Sequence, residues 1–471
     1  MRGDAVHEIT ISPVTRANAV GAVTVMVEGG KVVQARSKGG IFRGFEMILK
    51  GRHPWDAPYL TQRICGICSS AHGIAACRAL EAAAGAEIPA NAVLLRNIIF
   101  GLDLLQNHLR HFYMLMLWDW VAPPPGRLFN GAYSADFRVS RRNTQKLHEH
   151  YWAAVEQARL AHEALTMLGG KAPHNHGLVP GGVTFYPCRE TFLELRGRIA
   201  ELGTFIEEVY LPDTLLLQDN YRDYLHLGGR DKSYLSFGLF QAAQGDSYQF
   251  EPGAVLRGRR EEVDTSAVAE DIGCSWYSGR GGHPFEEEAE PHISGDRAYS
   301  WIKAPRYRGL PCEGGPLARV RVSTPGKPAG SSVMERIVER SRESVKVSRL
   351  LLQWLEQLSP GEPFYRPFKI PSKAVGVGLH EGMRGPLSHW LKLEGGRIAV
   401  YQIITPSAWN FSPRDDGGGP GPVEEALLGL PVNDFDQPVE IGRVIRSFDP
   451  CYACSAHVIC LEQGKETVLE L

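Results

Sequence analysis

No apolar run in this 471-residue chain reaches the roughly 18–20 residues that a membrane-spanning helix needs. The richest stretch, Tyr113 to Ala122, is short and is broken by Asp119. The N-terminus lacks the positive-then-apolar pattern of a secretory signal, so the chain is expected not to be exported by a signal of its own. Neither sign of charge is in excess. With 51 Lys+Arg against 53 Asp+Glu and a net charge of −2, a broadly basic surface for nucleic acid is excluded. Cysteine is sparse and odd in number, nine in all, which argues against a disulfide scaffold and for a reducing compartment. A long Ser/Gly linker is missing too, so residues 1–457 are read as one domain.

What is present is mostly helical pattern. Leu95, Ile98, Leu102, Leu105, Leu109, Phe112 and Met116 recur at steps of three and four, which predicts a long helix between Asn91 and Val121. Pro123-Pro124-Pro125 ends it. Shorter helices are expected at 41–50 and 71–84, and longer ones at 144–168, 190–210 and 331–358. In the last, the charged stretch Glu335 to Glu343 is expected to be solvated on its outer side. Strands are expected in 5–35, around the turn Glu28-Gly29-Gly30, and at 397–404. Residues 225–330 read as irregular with short strands, and 412–422 as a Gly/Pro-rich loop. The expected class is mainly α (α+β), with a long-helix bundle core and peripheral N-terminal and C-terminal strands.

Four of the nine cysteines form two C-x-x-C pairs near opposite ends of the chain. One is Arg63-Ile64-Cys65-Gly66-Ile67-Cys68, with His72 four positions on. The other is Asp449-Pro450-Cys451-Tyr452-Ala453-Cys454, with His457 three positions on. Two intervening residues let both sulfurs of a pair reach one ion from a tight turn. Four thiolates favour a soft metal, and spacing alone leaves zinc, iron and nickel open, a structural zinc clamp among them. Cys77, Cys188, Cys274 and Cys312 stand alone and read as buried apolar residues, which leaves no set for an iron–sulfur cluster.

The ordered pair R-x-C-G-x-C-x-x-x-H and D-P-C-x-x-C-x-x-H resembles the signature of nickel–iron hydrogenase large subunits. Further matching segments are Arg43-Gly44-Phe45-Glu46, Lys303 to Tyr307, Gly314 to Arg319, Arg384 to Trp390, Tyr401-Gln402, Pro406 to Asn410 and Pro413-Arg414-Asp415. The resemblance covers nearly the whole chain and implies that family's fold. It implies an oxidoreductase that splits or forms H2 heterolytically at nickel and at an iron carrying cyanide and carbonyl. Cys65 and Cys451 would be terminal nickel ligands, and Cys68 and Cys454 would bridge nickel to iron. Cys451 would accept the first proton. His72 would orient a bridging thiolate, Arg384 would lie over the open side of the metals, and Asp449 would pair with Arg384. Glu46 and His457 would hold magnesium.

The same resemblance implies an iron–sulfur small subunit as electron acceptor, a nickel-insertion factor, and a protease that removes residues 458–471 after His457. A cytoplasmic location is expected, or membrane association or export through a partner's signal. Three positions depart from the family's pattern. Thr15-Arg16-Ala17-Asn18 has Asn18 where the family's T-R-I-E-G-H has Glu. Asn107 precedes His108 where the family has Asp, and Met383 precedes Arg384 where it has Pro. An amide neither takes up nor releases a proton near neutral pH, so the usual exit from the terminal cysteine is missing in this atypical branch. His108 and His111 are expected to make structural hydrogen bonds.

Overall fold

The computed structural model describes residues 6–124, 136–185, 188–229, 233–287, 289–293, 297–324, 331–359 and 361–455. Two antiparallel meanders flank a helical core. The first joins β1 (His7–Ile11), β2 (Gly21–Glu28) and β3 (Lys31–Gly39). Val23, Val25 and Val27 alternate inward on β2, the period of a half-buried strand. The second joins β4 (Ala374–Gly382), β5 (Gly385–Glu394) and β6 (Arg397–Ile404).

Five long helices fill the space between: α1 (Ser69–Ala84), α2 (Ala90–Arg110), α3 (Arg141–Gly169), α4 (Arg189–Phe205) and α5 (Val333–Gln357). Helix α1 stops at Gly85, whose left-handed φ of 60° is the conformation glycine adopts without strain. Helix α2 lies against α3 and α5 and is buried over most of its circumference. Its Leu95, Ile98, Leu102, Leu105 and Leu109 are fully enclosed, worth about 1.5–3 kcal/mol apiece before entropy is counted. The α-helical hydrogen bonding ends at Arg110, earlier than the apolar stripe predicts. The chain widens into a π-turn, His111–Met116, where the His111 ring bonds the Arg446 carbonyl at 2.6 Å. Helix α4 runs similarly into a π-turn, Ile206–Tyr210, and a further helix, Leu211–Asn220.

Two readings need correction. The charged stretch of α5 meets solvent only in part, at the exposed Arg342 and the half-buried Glu335 and Glu339. Arg336, Arg340 and Glu343 are buried, and Glu343 takes Arg319 Nη2 at 2.5 Å and Nε at 2.7 Å while Glu381 takes Nη1 at 2.7 Å. Charge marks a solvent face only where no partner is buried opposite it. Cys188 is exposed rather than buried, whereas Cys77, Cys274 and Cys312 are inside.

The β4–β5 hairpin, which the sequence pattern did not reveal, lies deeper than a peripheral strand pair. Its β5 is buried almost end to end, and β4 packs directly on α1. A Cβ at Gly378 would fall 1.9 Å from the Ala75 carbonyl, and one at Gly376 would fall 2.1 Å from that of Ala79. Small residues on both sides let strand and helix backbones touch, which sets the Met383–Arg384 turn beside the start of α1.

Candidate metal centre

The first cysteine pair follows a single 3-10 turn, Gln62–Ile64, and leads into α1, with Cys68 as the residue before the helix. The second lies between the helix Val439–Ser447 and the short helix Tyr452–Ser455. The N-terminal loop fastens the second pair. Asn18 N–H donates to the Pro450 carbonyl and Ala453 N–H donates to the Asn18 carbonyl, both at 3.2 Å. The result is a meeting of chain ends. Cys65, Cys68 and Cys451 are buried, their sulfurs lie within 4.8 Å of one another, and Cys65 Sγ is 3.3 Å from Cys451 Sγ. Cys454 lies in the short helix, one turn from Cys451; its side chain, His457 and residues 458–471 lie outside the described residues.

Three thiolates this close repel one another unless a cation lies among them, and the soft donor set suits nickel, iron or zinc. The surroundings narrow the choice. The Arg384 guanidinium, on the β4–β5 turn, donates from Nε to the Asp449 carbonyl at 2.8 Å. Its Nη2 donates to Asp449 Oδ1 at 2.9 Å and to Asn107 Oδ1 at 2.7 Å, and Asn107 Nδ2 donates to Asp449 Oδ2 at 2.9 Å. Burial works against the Arg384 charge, but Asp449, then Cys451, Cys68 and Cys65, outweigh it and raise its pKa. Burial also works against Asp449, and Arg384, with His111, Arg340 and Asn107, brings its pKa down to about 2. The pair is therefore ionised at neutral pH. Asp449 holds a left-handed φ of 57°, which a non-glycine residue adopts only when its surroundings hold it there.

Arg384 Nη1 has no hydrogen-bond partner among the described residues, and neither has Ser407 Oγ. Both groups line a small cavity with Cys68, His72 and Pro406. A plain zinc clamp leaves these buried donors unexplained; they call for an acceptor in the cavity. His72 Nδ1 is hydrogen-bonded to His389 Nε2 at 3.1 Å, and His389 Nδ1 to the Tyr401 hydroxyl at 2.8 Å, which fixes the imidazole that flanks Cys68 in the cavity. On the opposite side, Asn18 Nδ2 donates to Cys65 Sγ at 3.2 Å and to Cys451 Sγ at 3.3 Å. His108 and His111 bond Glu343 and the Arg446 carbonyl.

Glu46 sits apart from the sulfurs, in the helix Phe45–Leu49, where its Oε1 accepts from Ile403 N–H at 3.1 Å. Burial pushes its pKa up, against the pull of Lys303. Lys303 is paired with Glu270 at 3.2 Å and with Glu287. One ammonium thus stands among three acidic side chains, and burial also holds Glu270 well above the usual carboxylate range, so the site offers oxygen donors that suit a hard divalent cation rather than a settled negative charge. Glu270 and Glu287 were not found from the sequence, because each lies in the irregular stretch without a motif around it. Asn18, Asn107 and Arg384 were found there, but not that one amide spans two sulfurs.

Comparison with known proteins agrees with this geometry. The family description "Nickel-dependent hydrogenase" matches residues 43–124 and 126–457. The chain is 38% identical to the periplasmic [NiFeSe] hydrogenase large subunit of Desulfomicrobium baculatum, over 98% of this chain and 97% of that one. It is 30% identical to the hydrogenase-2 large chain of Escherichia coli K12, over 98% and 99%. Its fold superposes on the reduced Ni-Fe-Se hydrogenase of D. vulgaris Hildenborough with a TM-score of 0.93 at 37% identity, covering 96% of this chain and 100% of that one.

Proposed function

This chain belongs to the nickel-dependent hydrogenase family, as an H2-handling large subunit with a nickel–iron centre, and from that premise we propose how its residues divide the work. Cys65 and Cys451 would hold nickel, and Cys68 and Cys454 would hold nickel and iron together. When bound, the metal pair supplies the Lewis acidity that polarises H2 for heterolytic cleavage. The Cys451 thiolate holds the first proton at Sγ. Arg384 keeps a fixed positive charge over the cluster, and Asp449 holds that guanidinium in place through both its carboxylate and its carbonyl. The spare N–H of Arg384 and the Ser407 hydroxyl fit iron-bound cyanide as acceptor, and the apolar Pro406 fits carbonyl. His72 orients the Cys68 side, braced by His389.

Glu46 and His457 would hold a magnesium ion that fastens the mature C-terminus. Electrons leave to an iron–sulfur small subunit. A nickel-insertion factor and a C-terminal protease complete the centre. The periplasmic name of the D. baculatum relative favours export with a partner's signal over a cytoplasmic location. Names of several relatives include selenium, but all four ligand positions are cysteine in this chain, so the reading is nickel–iron with sulfur. Residues 1–457 act as one domain.

The observation that carries the proposal is the approach of Cys65, Cys68 and Cys451 from opposite ends of the chain. The test is elemental analysis of the mature heterodimer together with H2-dependent dye reduction. Nickel and iron with dye reduction support the assignment; zinc in place of nickel overturns it in favour of a structural clamp.

A further inference from the structure

The side of the cluster where the family carries a glutamate has an amide here, and an amide N–H committed to two sulfurs does not relay a proton. A carboxyl lies elsewhere. Asp103 is on α2, one helical turn before Asn107, so it lies on the helix face from which Asn107 holds Arg384. It is almost wholly buried, yet it faces polar groups. Ser70 N–H, two residues past Cys68, donates to its Oδ2 at 3.4 Å, and Gln106 Nε2 donates to its Oδ1 at 3.0 Å. Ser70 Oγ in turn accepts from Asn175 Nδ2 at 2.7 Å.

From there a polar seam leads outward. Gln62 Nε2 donates to the Asn175 carbonyl at 2.9 Å, and His174 N–H to Ser69 Oγ at 2.9 Å. Asn175 is buried, but His174 beside it is half-buried and His176 is exposed. Three buried acceptors along the seam have no partner among the described residues: Gln62 Oε1, Gln106 Oε1 and Asn175 Oδ1. Acceptors of this kind are satisfied by internal water. The seam also has a shape requirement, because a Cβ at Gly169 would fall 1.6 Å from Asn175 Oδ1.

We propose that Asp103 is the proton-carrying carboxyl of this enzyme, standing between the metal centre and a water-lined exit through Ser70, Gln62 and Asn175 to the surface at His174 and His176. The inference rests on the function proposed above. The step is a proton transfer alone: a proton leaving a cysteine sulfur protonates the Asp103 carboxylate through water, and the same group then releases a proton to the seam. Burial, only partly offset by Ser70, Gln106 and the Arg384 charge, raises the Asp103 pKa to about 6, near neutrality, where a carrier must both take and give. Arg384 from the β4–β5 turn is the charged group acting on it; α1 offers the Ser70 hydroxyl and amide, and α2 the Gln106 amide.

The experiment is infrared difference spectroscopy of the mature heterodimer between pH 5 and 8, in H2O and D2O, on the wild type and Asp103→Asn. The wild type is expected to show a protonated-carboxyl band with a midpoint near pH 6 that shifts in D2O, and the variant to lack it. Alongside, H2 oxidation in the variant should fall about tenfold or more in kcat with KM for H2 unchanged and a larger solvent isotope effect, and Asp103→Glu should recover part of the rate. A wild type without the band overturns the proposal, as does a variant that loses it yet keeps its kcat and isotope effect. Absence of iron–cyanide and iron–carbonyl bands would instead sink the cofactor assignment, leaving the carboxyl titration to judge Asp103.

Discussion

The two sides of the sulfur cluster are built from opposite materials. On one, Arg384 and Asp449 form a buried ion pair that Asn107 bridges to both partners. On the other, the neutral amide of Asn18 spans Cys65 and Cys451 from a half-buried loop. The charged side is rigid in protonation as well as in position: the guanidinium's pKa is raised by its carboxylate and the thiols, and the Asp449 carboxyl is pulled down to about 2. Asn18, which meets the sulfurs on the neutral side, is not ionisable. Arg384, Asp449 and Asn18 therefore hold charge or donate hydrogen bonds, and the proposed proton route runs through Asp103, further out.

The largest effect should come from the cluster that both sides share. Cys451→Ala removes a sulfur and should lower H2-dependent dye reduction more than a thousandfold, with nickel lost on elemental analysis. Next is the charged side. Arg384→Lys keeps the charge but not the fork that reaches Asp449 and Asn107 together, and should cut kcat roughly a hundredfold with nickel and iron retained. An activity within twofold of the wild type would mean that charge alone matters there, and not its aim.

The sequence revealed what is local. Both cysteine pairs, His72, Arg384 and Asp449 announce themselves within a few residues of chain, and the structure brings Arg384 to Asp449 and Cys451 to Cys65. What depends on distant partners did not show. Asp103 has no motif around it, and its meaning comes from Ser70 and, through Ser70, Asn175. The β4–β5 strands were missed because β5 is buried on both faces and gives no alternation. Glu343 was read as solvated because its partners, Arg319 and His108, lie 24 and 235 positions away.

Glu343 gives the next test, since it is an ion-paired carboxylate like Asp449 but makes its contacts with Arg319 and His108. Burial would raise its pKa, but Arg319 and His108 bring it down to about 2, below its unfolded value. A lowered carboxyl stabilises the fold above its unfolded pKa, and that stability is lost as pH falls from about 4 through about 2, to an extent of roughly 3 kcal/mol. Glu343→Gln should flatten that part of the acid-unfolding curve. It should also cost about 3 kcal/mol at pH 7, because Arg319 stays buried with Glu381 as its remaining carboxylate. An unchanged acid midpoint would show that the network adds position and no stability.

The smallest effect is expected on the neutral side, from Asn18→Glu. A carboxyl placed between two sulfurs meets their negative charge, which raises its pKa and favours the protonated form, so it can still donate one hydrogen bond where the amide donated two. The lost N–H···S contact is worth about 1 kcal/mol or less. If protons already leave by way of Asp103, a second carrier adds little, and the rate of H2 oxidation should stay within about threefold of the wild type at pH 7. A tenfold gain would show that the amide, and not the chemistry at the metals, sets the pace, and that the neutral side is a defect of this branch rather than a side relieved of proton traffic. Repeating the substitution in the Asp103→Asn background decides between these: a glutamate that rescues only the double variant identifies two parallel routes, with the Asp103 route used by the natural chain.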